Sequence, residues 1–241
     1  MNIMSQIERN TWHILSDTDE LANALSHAMH SHALRSLTEQ QTLLIGLAGG
    51  STPMSAYSEF AQAQLPWPRI ALTLIDERFV PITDAQSNEA NIARAFSAIK
   101  AQLNGWHGLT HTLLAIEQVA ERANKEIQNL QHPMDIVVIG MGSDGHIASL
   151  FIESADYQHA MDLQCTDAVL PIRFEAQDDK IDRISFTLAE LLKAKKMFIC
   201  ITGDEKRCVL EQSLDGSAPE YAVAKLLKHY SRPIEIFWSP A

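Results

Sequence analysis

Short apolar runs of strand length recur along the chain and alternate with stretches of helical periodicity. The six runs favour β-structure and lie at 11–15, 42–48, 70–75, 135–140, 196–203 and 233–238. Most are almost continuously apolar, which is typical of strands in a parallel sheet covered on both faces. Strand–helix alternation implies right-handed crossover connections. The pattern predicts one α/β domain over residues 1–241, with a mainly parallel sheet.

Two of the predicted helices have recognisable starts. Asp17, with Glu20 three residues later, is an N-terminal signal for the first helix. We place its apolar stripe on Leu21, Leu25, Met29 and Leu34. The second follows Pro53, which suits a first helical position because its missing N–H is not needed there. Residues 152–182 are polar and irregular, and they predict a long excursion from the sheet.

The residues just after each strand are the candidates for a site, because ligands of open α/β sheets bind beyond the carboxyl ends of the strands. The run 42–48 is followed by Gly49-Gly50-Ser51-Thr52-Pro53. Backbone amides from Gly50 onward, with the hydroxyls of Ser51 and Thr52, can hold a phosphate. An ordinary turn capped by Thr52 explains the same residues. The string is not a Walker A loop, since no Gly-Lys-Ser/Thr follows.

The run 135–140 leads into the densest polar string, Gly140-Met141-Gly142-Ser143-Asp144-Gly145-His146, and we expect a short helix over 147–151. The string matches GxGxxG, but a dinucleotide site fits badly because Cys165 stands where an acid is needed. In the first turn of a helix His146 would be kept neutral, as a general base requires. Asp144 either orients the histidine or caps the helix.

Three further charged positions are ambiguous on local grounds. Asp76-Glu77-Arg78 follows the run 70–75 and fits either a solvated turn with a surface ion pair or part of a site. Arg183 precedes a predicted helix and Lys206 follows the run 196–203. Each of these two cations can equally be an ordinary surface residue.

The composition of the chain limits the classes of partner that it is expected to bind. Lys plus Arg number 19 and Asp plus Glu 30, so the net charge of −11 repels nucleic acid, and an anionic ligand must meet a local cluster of cations. No apolar run approaches the ~18 residues of a membrane span, and the N-terminus lacks a signal-peptide pattern, so we expect no membrane partner and a cytoplasmic location.

Cysteine and histidine positions give no metal site. The three cysteines lack CxxC spacing, and we expect reduced thiols with Cys200 in the core. His27, His30 and His32 resemble a metal cluster but lack a supporting acid.

Taken together, several strings closely resemble the glucosamine-6-phosphate isomerase/6-phosphogluconolactonase superfamily. They are LAGGSTP, DERFVP followed by SNEANI, DIVVIGMGSDGHIASLF, RISFT and ITGDEK, in the family's order from Leu47 to Lys206. The resemblance implies a three-layer α/β/α, Rossmann-like fold and hydrolysis of 6-phospho-D-glucono-1,5-lactone to 6-phospho-D-gluconate in the oxidative pentose phosphate pathway. It implies a small sugar-phosphate lactone as the partner, and no cofactor or metal.

The resemblance also implies roles for individual residues. His146 would activate water, Asp144 and Asp76 would form its polar surround, and Arg78 would lie near the reacting end. The phosphate would be held by Gly50, Ser51, Thr52, Arg183 and Lys206. Family members commonly carry Pro-Gly after Ser-Leu-Phe and a Pro-rich lead into the arginine motif. This chain has Ile152-Glu153 and EAQDDKID there, which leaves the reach of Arg183 open.

Two alternative functions remain to be weighed on the sequence. Glucosamine-6-phosphate deaminases resemble the chain through DGHIA, and Ile147, where lactonases usually have threonine, brings it closer to them. They continue into Phe-Asn-Glu-Pro, whereas this chain has Ser149-Leu150-Phe151-Ile152, so the lactonase is preferred. A non-catalytic sugar-phosphate sensor would carry an upstream helix-turn-helix, for which about ten residues before the first strand are too few.

Overall fold

A computed structural model describes residues 9–110, 114–130, 133–175 and 180–241 of the chain. Its main element is a seven-stranded sheet in which every neighbouring pair of strands is parallel. The strands are β1 (Thr11–Ile14), β2 (Leu43–Leu47), β3 (Ile70–Leu74), β5 (Gly105–His107), β6 (Ile136–Gly140), β9 (Met197–Thr202) and β10 (Ile234–Ser239). Their order is β1-β10-β9-β6-β2-β3-β5, which confirms the α/β class and the mainly parallel sheet.

Helices flank the sheet along the whole chain. They are α1 (Thr18–Glu39), α2 (Met54–Phe60), α3 (Asn88–Ala95), α4 (Ile116–Asn129), α5 (Tyr157–Ala160), α6 (Leu188–Leu191), α7 (Asp204–Asp215) and α8 (Ala222–His229). Helix α1 packs on α2 and against the strands β10, β2, β6 and β9, and α7 packs on α8 and against β9. None of the helices described here is long and apolar enough to cross a bilayer.

All six predicted strands are present, within one or two residues of the apolar runs. Every residue of β2 and β3 is buried, as expected for strands in the middle of a parallel sheet. The seventh strand, β5, was not predicted from the sequence. It has only three residues, all half-buried, at one edge of the sheet, so no apolar run marks it.

Helix α1 begins as predicted, but its buried stripe differs. The Asp17 carboxylate accepts hydrogen bonds from the backbone N–H groups of Asp19 and Glu20, which caps the helix. Leu34 is 43% exposed, so its assignment to the stripe was wrong. It lies thirteen residues after Leu21, about 3.6 turns at 3.6 residues per turn, and therefore points to the opposite side. The stripe from Leu21 through Leu25 and Met29 continues to Ala33 and Leu37.

A second, antiparallel sheet corrects two interpretations of the sequence. It has three strands in the order β4 (Asp76–Arg78), β8 (Arg183–Phe186), β7 (Val169–Ile172). The solvated turn considered for 76–78 is wrong, because Asp76 and Glu77 are buried. The excursion 152–182 is partly regular, since it contains α5 and β7; residues 176–179 of it lie outside the described part.

The strand order fixes where a ligand can bind. From β2 the chain moves outward to β3 and β5, whereas from β6 it moves to β9 and β10 in the other direction. Ligands of open α/β sheets bind at the carboxyl ends of the strands, at such a reversal of direction. The four strands that carry the polar strings lie side by side as β9-β6-β2-β3.

Candidate active site

A cavity of about 330 Å³ opens at the carboxyl ends of these four strands, and its volume is in the range of small-molecule sites. It contains seven of the nine residues for which the family resemblance implied a role: Gly50, Ser51, Thr52, Asp76, Arg78, His146 and Lys206. A second cavity of about 560 Å³ shares Gly50, Ser51 and Arg78 with it and adds Arg94. The two cavities together form one open cleft with cations on its walls.

The turn after β2 is shaped for close approach of backbone to a ligand. A Cβ at Gly49 would come within 1.9 Å of the Asn88 side chain, so only glycine fits there. Helix α2 begins at Met54, so Pro53 precedes the first helical position, which it was predicted to occupy. No side chain caps this helix. The cap assigned to Thr52 is therefore wrong, and its hydroxyl is not used by α2.

His146 and Asp144 form a pair directly beyond β6. The Asp144 Oδ1 lies 2.5 Å from Nδ1 of the His146 ring and 3.3 Å from the His146 backbone nitrogen. A Cβ at Gly142 would collide with both side chains, at 2.3 Å from the ring and 2.4 Å from Asp144 Oδ1. Of the two roles considered for Asp144, the geometry supports orientation of the imidazole.

The helix expected after His146 does not form. Residues 147–151 make turns, and Ile147 forms an isolated antiparallel bridge with Met141. The helix-dipole argument for a neutral His146 is therefore wrong, and Asp144 has no helix to cap. What holds the ring instead is its carboxylate partner and the face of Phe151, whose centroid lies 4.0 Å away.

The charge on Asp144 determines which ring nitrogen is left for chemistry. Its hydrogen bond with the His146 ring outweighs burial and lowers the pKa of the Asp144 carboxyl below its usual value. An ionised carboxylate only accepts hydrogen bonds, so a neutral imidazole must carry its proton on Nδ1. The lone pair of Nε2 is then the one that can take a proton from water.

Asp76 is held between two side chains that sequence reasoning did not assign. Ser149 Oγ donates to Asp76 Oδ2 at 2.7 Å, and Asn88 Nδ2 donates to the Asp76 backbone oxygen at 3.0 Å. Asn88 lines the cavity, and its Oδ1 is buried with no hydrogen-bond partner within the described residues. The SNEANI string contained this residue, but only the fold brings it next to Asp76.

Glu77 organises the loop between Arg78 and α3. Its buried carboxylate accepts hydrogen bonds from the backbone nitrogens of Arg78, Asn88 and Glu89, at 2.6, 2.7 and 2.6 Å, and from Ser87 Oγ at 2.9 Å. Burial raises the pKa of Glu77, and these four donors oppose the rise. Glu77 therefore fixes both the strand residue Arg78 and the helix start that presents Asn88.

We expect Glu77→Gln to weaken this loop. The amide group places an NH₂ against backbone donors, and a buried donor without an acceptor costs about 1–3 kcal/mol. The free energy of unfolding should fall by roughly that amount in denaturant titrations, and KM should rise because Arg78 and Asn88 shift. Glu121→Gln, on the exposed face of α4, is the control. An unchanged KM and stability would show that the network does not position the site.

Arg183 lies beside Arg78 and outside the cavity wall. The two residues are paired in the antiparallel register of β4 and β8. Burial and the Arg78 charge lower the pKa of Arg183, and its Nε and Nη1 are buried without hydrogen-bond partners in the described part of the chain. Its guanidinium carbon is 6.0 Å from the centre of the Phe151 ring, which in turn contacts the His146 ring at a tilt of 35°. Two adjacent guanidinium groups favour an anion here.

Lys206 approaches the cavity from the first turn of α7, directly after β9. It is half-buried, so the surface-lysine interpretation does not describe it. Cys200, near the end of β9, also lines the cavity, and burial raises the pKa of its thiol to about 12. A thiol with that pKa stays protonated and is not a nucleophile at neutral pH.

Within the described ranges, His27, His30 and His32 do not bring ligand atoms close enough to share a metal ion. Burial, with the Lys196 charge, lowers the pKa of His32 to about 4. The three cysteines are free thiols and Cys200 is buried, as predicted.

Known proteins resemble the chain over nearly all of its length. The family described as glucosamine-6-phosphate isomerases/6-phosphogluconolactonase matches residues 16–238. A 6-phosphogluconolactonase of Mesorhizobium japonicum is 29% identical over 229 residues, 95% of each chain, and one of Pseudomonas aeruginosa is 32% identical over 92% of this chain and 91% of its own.

Solved structures carry the same fold. A 6-phosphogluconolactonase from Shewanella baltica superposes with a TM-score of 0.85 at 23% identity, over 95% of this chain and 97% of its own. That from Thermotoga maritima gives a TM-score of 0.79 at 26% identity, over 96% and 100%. The sequence relatives and the solved structures therefore both cover nearly the whole chain.

Proposed function

The chain belongs to the glucosamine-6-phosphate isomerase/6-phosphogluconolactonase family, and from this membership we propose how its site acts on a sugar-phosphate lactone. The activity is that of a 6-phosphogluconolactonase: it hydrolyses 6-phospho-D-glucono-1,5-lactone to 6-phospho-D-gluconate in the pentose phosphate pathway. The observation that carries the mechanism is the His146–Asp144 pair, at 2.5 Å, on the same cavity as the turn 49–53 and Lys206.

His146 is the general base. Its Nε2 takes a proton from water as the water oxygen attacks the lactone carbonyl carbon, and the ring becomes imidazolium. Asp144 stabilises that cation across the 2.5 Å contact. The tetrahedral intermediate then breaks its bond to the ring oxygen, which receives the proton from His146. The products are a carboxylic acid, which ionises, and a hydroxyl group.

Arg78 and Asn88 face the developing charge and the sugar hydroxyls. Arg78 lines both cavities, so its guanidinium can donate to the oxyanion while the sugar occupies the cleft. Asn88 Oδ1 is a buried acceptor without a partner in the described ranges, and a substrate hydroxyl can donate to it. Asp76, fixed by Ser149, completes the polar wall.

The phosphate is bound at the other end of the cavity. Gly50, Ser51 and Thr52 offer backbone and hydroxyl donors, and Lys206 adds a positive charge. A phosphate monoester carries about −1.5 to −2 charges near neutral pH, so it needs these cations in a protein of net charge −11. Arg183, beside Arg78 in the register of β4 and β8, adds a second guanidinium group to the positive potential of the cleft.

A comparison of two substrates tests the function. We expect hydrolysis of 6-phosphogluconolactone well above the spontaneous rate, with initial rates corrected by an enzyme-free blank. Glucosamine 6-phosphate should release no ammonia above background. Substantial ammonia release with no lactone hydrolysis above the blank would make the chain a deaminase. Binding of the sugar phosphates without either reaction would make it a sensor.

The phosphate assignment predicts a selective loss. Charge-assisted hydrogen bonds are typically worth ~1.5–3 kcal/mol, so Lys206→Ala should raise KM for 6-phosphogluconolactone about tenfold or more. Unphosphorylated gluconolactone should be hydrolysed at an almost unchanged rate. Lys125→Ala, an exposed lysine on α4, serves as the matched control. Equal losses on both lactones would remove Lys206 from the phosphate site.

Arg183→Ala tests whether Arg183 contacts the phosphate as directly as Lys206, since the sequence analysis gave both residues the same role. Because Arg183 lies beside Arg78 and is not among the residues that line the cavity, we expect a smaller rise in KM than for Lys206→Ala. A tenfold or larger selective rise, equal to that of Lys206→Ala, would instead show direct contact between Arg183 and the phosphate.

A further inference from the structure

Three side chains that can ligate a metal meet outside the catalytic cavity, in the segment that runs from α5 to the start of β7. A ring nitrogen of His159, the Cys165 sulfur and a carboxylate oxygen of Asp167 all lie within 4.8 Å of one another. None of the three lines the catalytic cavity. Neither the family resemblance nor the cysteine spacing marked them, because their separations of six and two residues match no common metal motif.

The backbone brings the three ligand atoms together. The backbone N–H of Asp162 donates to the His159 carbonyl oxygen, and that of Cys165 donates to the Asp162 carbonyl oxygen, both at 3.1 Å. Two consecutive four-residue turns, 159–162 and 162–165, thus bring Cys165 back toward His159. Asp167 follows where the chain enters β7.

The carboxylate of Asp167 is held from a second element. Asn124, on α4, donates from Nδ2 to Asp167 Oδ1 at 2.8 Å, and Asn124 Oδ1 accepts from the backbone N–H groups of Ala168 and Val169. Thr187 Oγ1 donates to the Asp167 carbonyl oxygen at 2.8 Å. Partners of this kind orient metal ligands in known sites.

The surrounding charges favour a cation. Asp162 and Asp167 lie close to Cys165, and Asp156 faces His159. The nearby cations are engaged elsewhere: Arg173 is paired with Asp156 at 2.5 Å, and the ammonium of Lys193 is 2.7 Å from the Glu190 carboxylate. A divalent ion would displace the thiol proton and relieve the repulsion between the acidic groups.

We propose that His159, Cys165 and Asp167 form a binding site for a borderline divalent transition-metal ion, of which Zn²⁺ is the best match. Nitrogen, thiolate sulfur and carboxylate oxygen are the ligand types that Zn²⁺ accepts, at about 2.0–2.3 Å. In a tetrahedral site such ligands are about 3.5 Å apart, so each pair of ligand atoms has to close by at most about 1.3 Å on binding. Water takes the fourth position. The ion ties α5 to the start of β7 and takes no part in hydrolysis.

Titration of the metal-free protein with Zn²⁺ alone tests the proposal. Isothermal calorimetry should show one site in the wild type and in Cys208→Ser, which removes the exposed cysteine of α7. Cys165→Ser should weaken binding by at least tenfold, the lower end of what even an outer partner of a ligand contributes. His159→Gln, at an exposed position where folding is not at risk, should do the same. Melting curves with chelator should be identical for all four proteins.

Cobalt gives a readout specific for the thiolate. Co²⁺ should produce a sulfur-to-metal charge-transfer band in the wild type and in Cys208→Ser, and none in Cys165→Ser. The His146–Asp144 pair is the main competing site for zinc, so His146→Ala is included and should retain full zinc binding. Zinc binding that disappears in His146→Ala and survives in Cys165→Ser would overturn the proposal, and so would the absence of binding in the wild type.

Discussion

His146→Ala should remove most of the lactonase activity while leaving the fold intact. General acid–base catalysis typically contributes about 10²–10⁴-fold, so kcat on 6-phosphogluconolactone should fall by that factor. KM should change little, because the turn 49–53 and Lys206 still bind the phosphate. The ring is 27% exposed and its main contact is the face of Phe151, so its loss leaves no buried polar group unpaired.

The measurement requires a correction and a control. The lactone opens spontaneously, so rates are compared with an enzyme-free blank at each substrate concentration. His27→Ala, on the exposed face of α1, is the matched histidine variant and should keep wild-type kcat. If His146→Ala turned over the lactone at near wild-type rate, another group would have to activate the water.

The sheet was the most predictable part of the molecule. The central strands are almost continuously apolar, with Thr73 as the polar residue of β3, because a strand covered on both faces has no polar side to encode. Six of the seven strands could therefore be recognised from the sequence. The edge strand Gly105–His107 is half-buried and only three residues long, so its pairing depends on β3 rather than on its own composition.

The antiparallel sheet could not be predicted, because its strands read as polar or short segments. Asp76-Glu77-Arg78 has the sequence of a solvated turn, yet pairs with Arg183–Phe186 and buries two carboxylates. The two charges are satisfied by partners outside the segment: Ser149, 73 residues further on, for Asp76, and the start of α3, 10 to 12 residues further on, for Glu77. Such long-range pairing leaves no local signal.

The sequence predicted the position of the candidate site more accurately than it predicted the surroundings of His146. Residues beyond four strand ends do line one cavity, since parallel strands deliver their carboxyl ends to the same edge. The physical reason given for His146 was wrong, because 147–151 forms turns and supplies no helix dipole. Arg183 was predicted to hold the phosphate; the register of β4 and β8 places it beside Arg78, and its contact with the phosphate stays a prediction. Motif spacing alone defines neither the backbone path of 147–151 nor the direction of a side chain.

Asp144→Asn should have the second largest effect on catalysis. The amide that replaces the carboxylate can donate to Nδ1 of His146, which favours the ring tautomer with its proton on Nε2 and removes the lone pair that must accept a proton from water. The equivalent change in a buried catalytic triad costs about 10⁴-fold in kcat. The Asp144 side chain is 55% exposed, so solvent screens its charge, and we expect a loss of about 10²–10³-fold, below that of the triad.

The pH profile distinguishes this role from a merely structural one. The pKa of Asp144 is lowered, so its carboxylate stays charged at pH values at which an ordinary aspartic acid is protonated. Its stabilisation of the imidazolium form of His146 therefore persists at those pH values. Without that negative charge, the acid limb of kcat/KM should move to lower pH in Asp144→Asn, with KM at the pH optimum unchanged. Asp19→Asn, an exposed acid in the first turn of α1, should leave both the rate and the profile as they are. A loss of rate with an unmoved acid limb would mean that Asp144 shapes the turn 142–146 without stabilising charge on the ring.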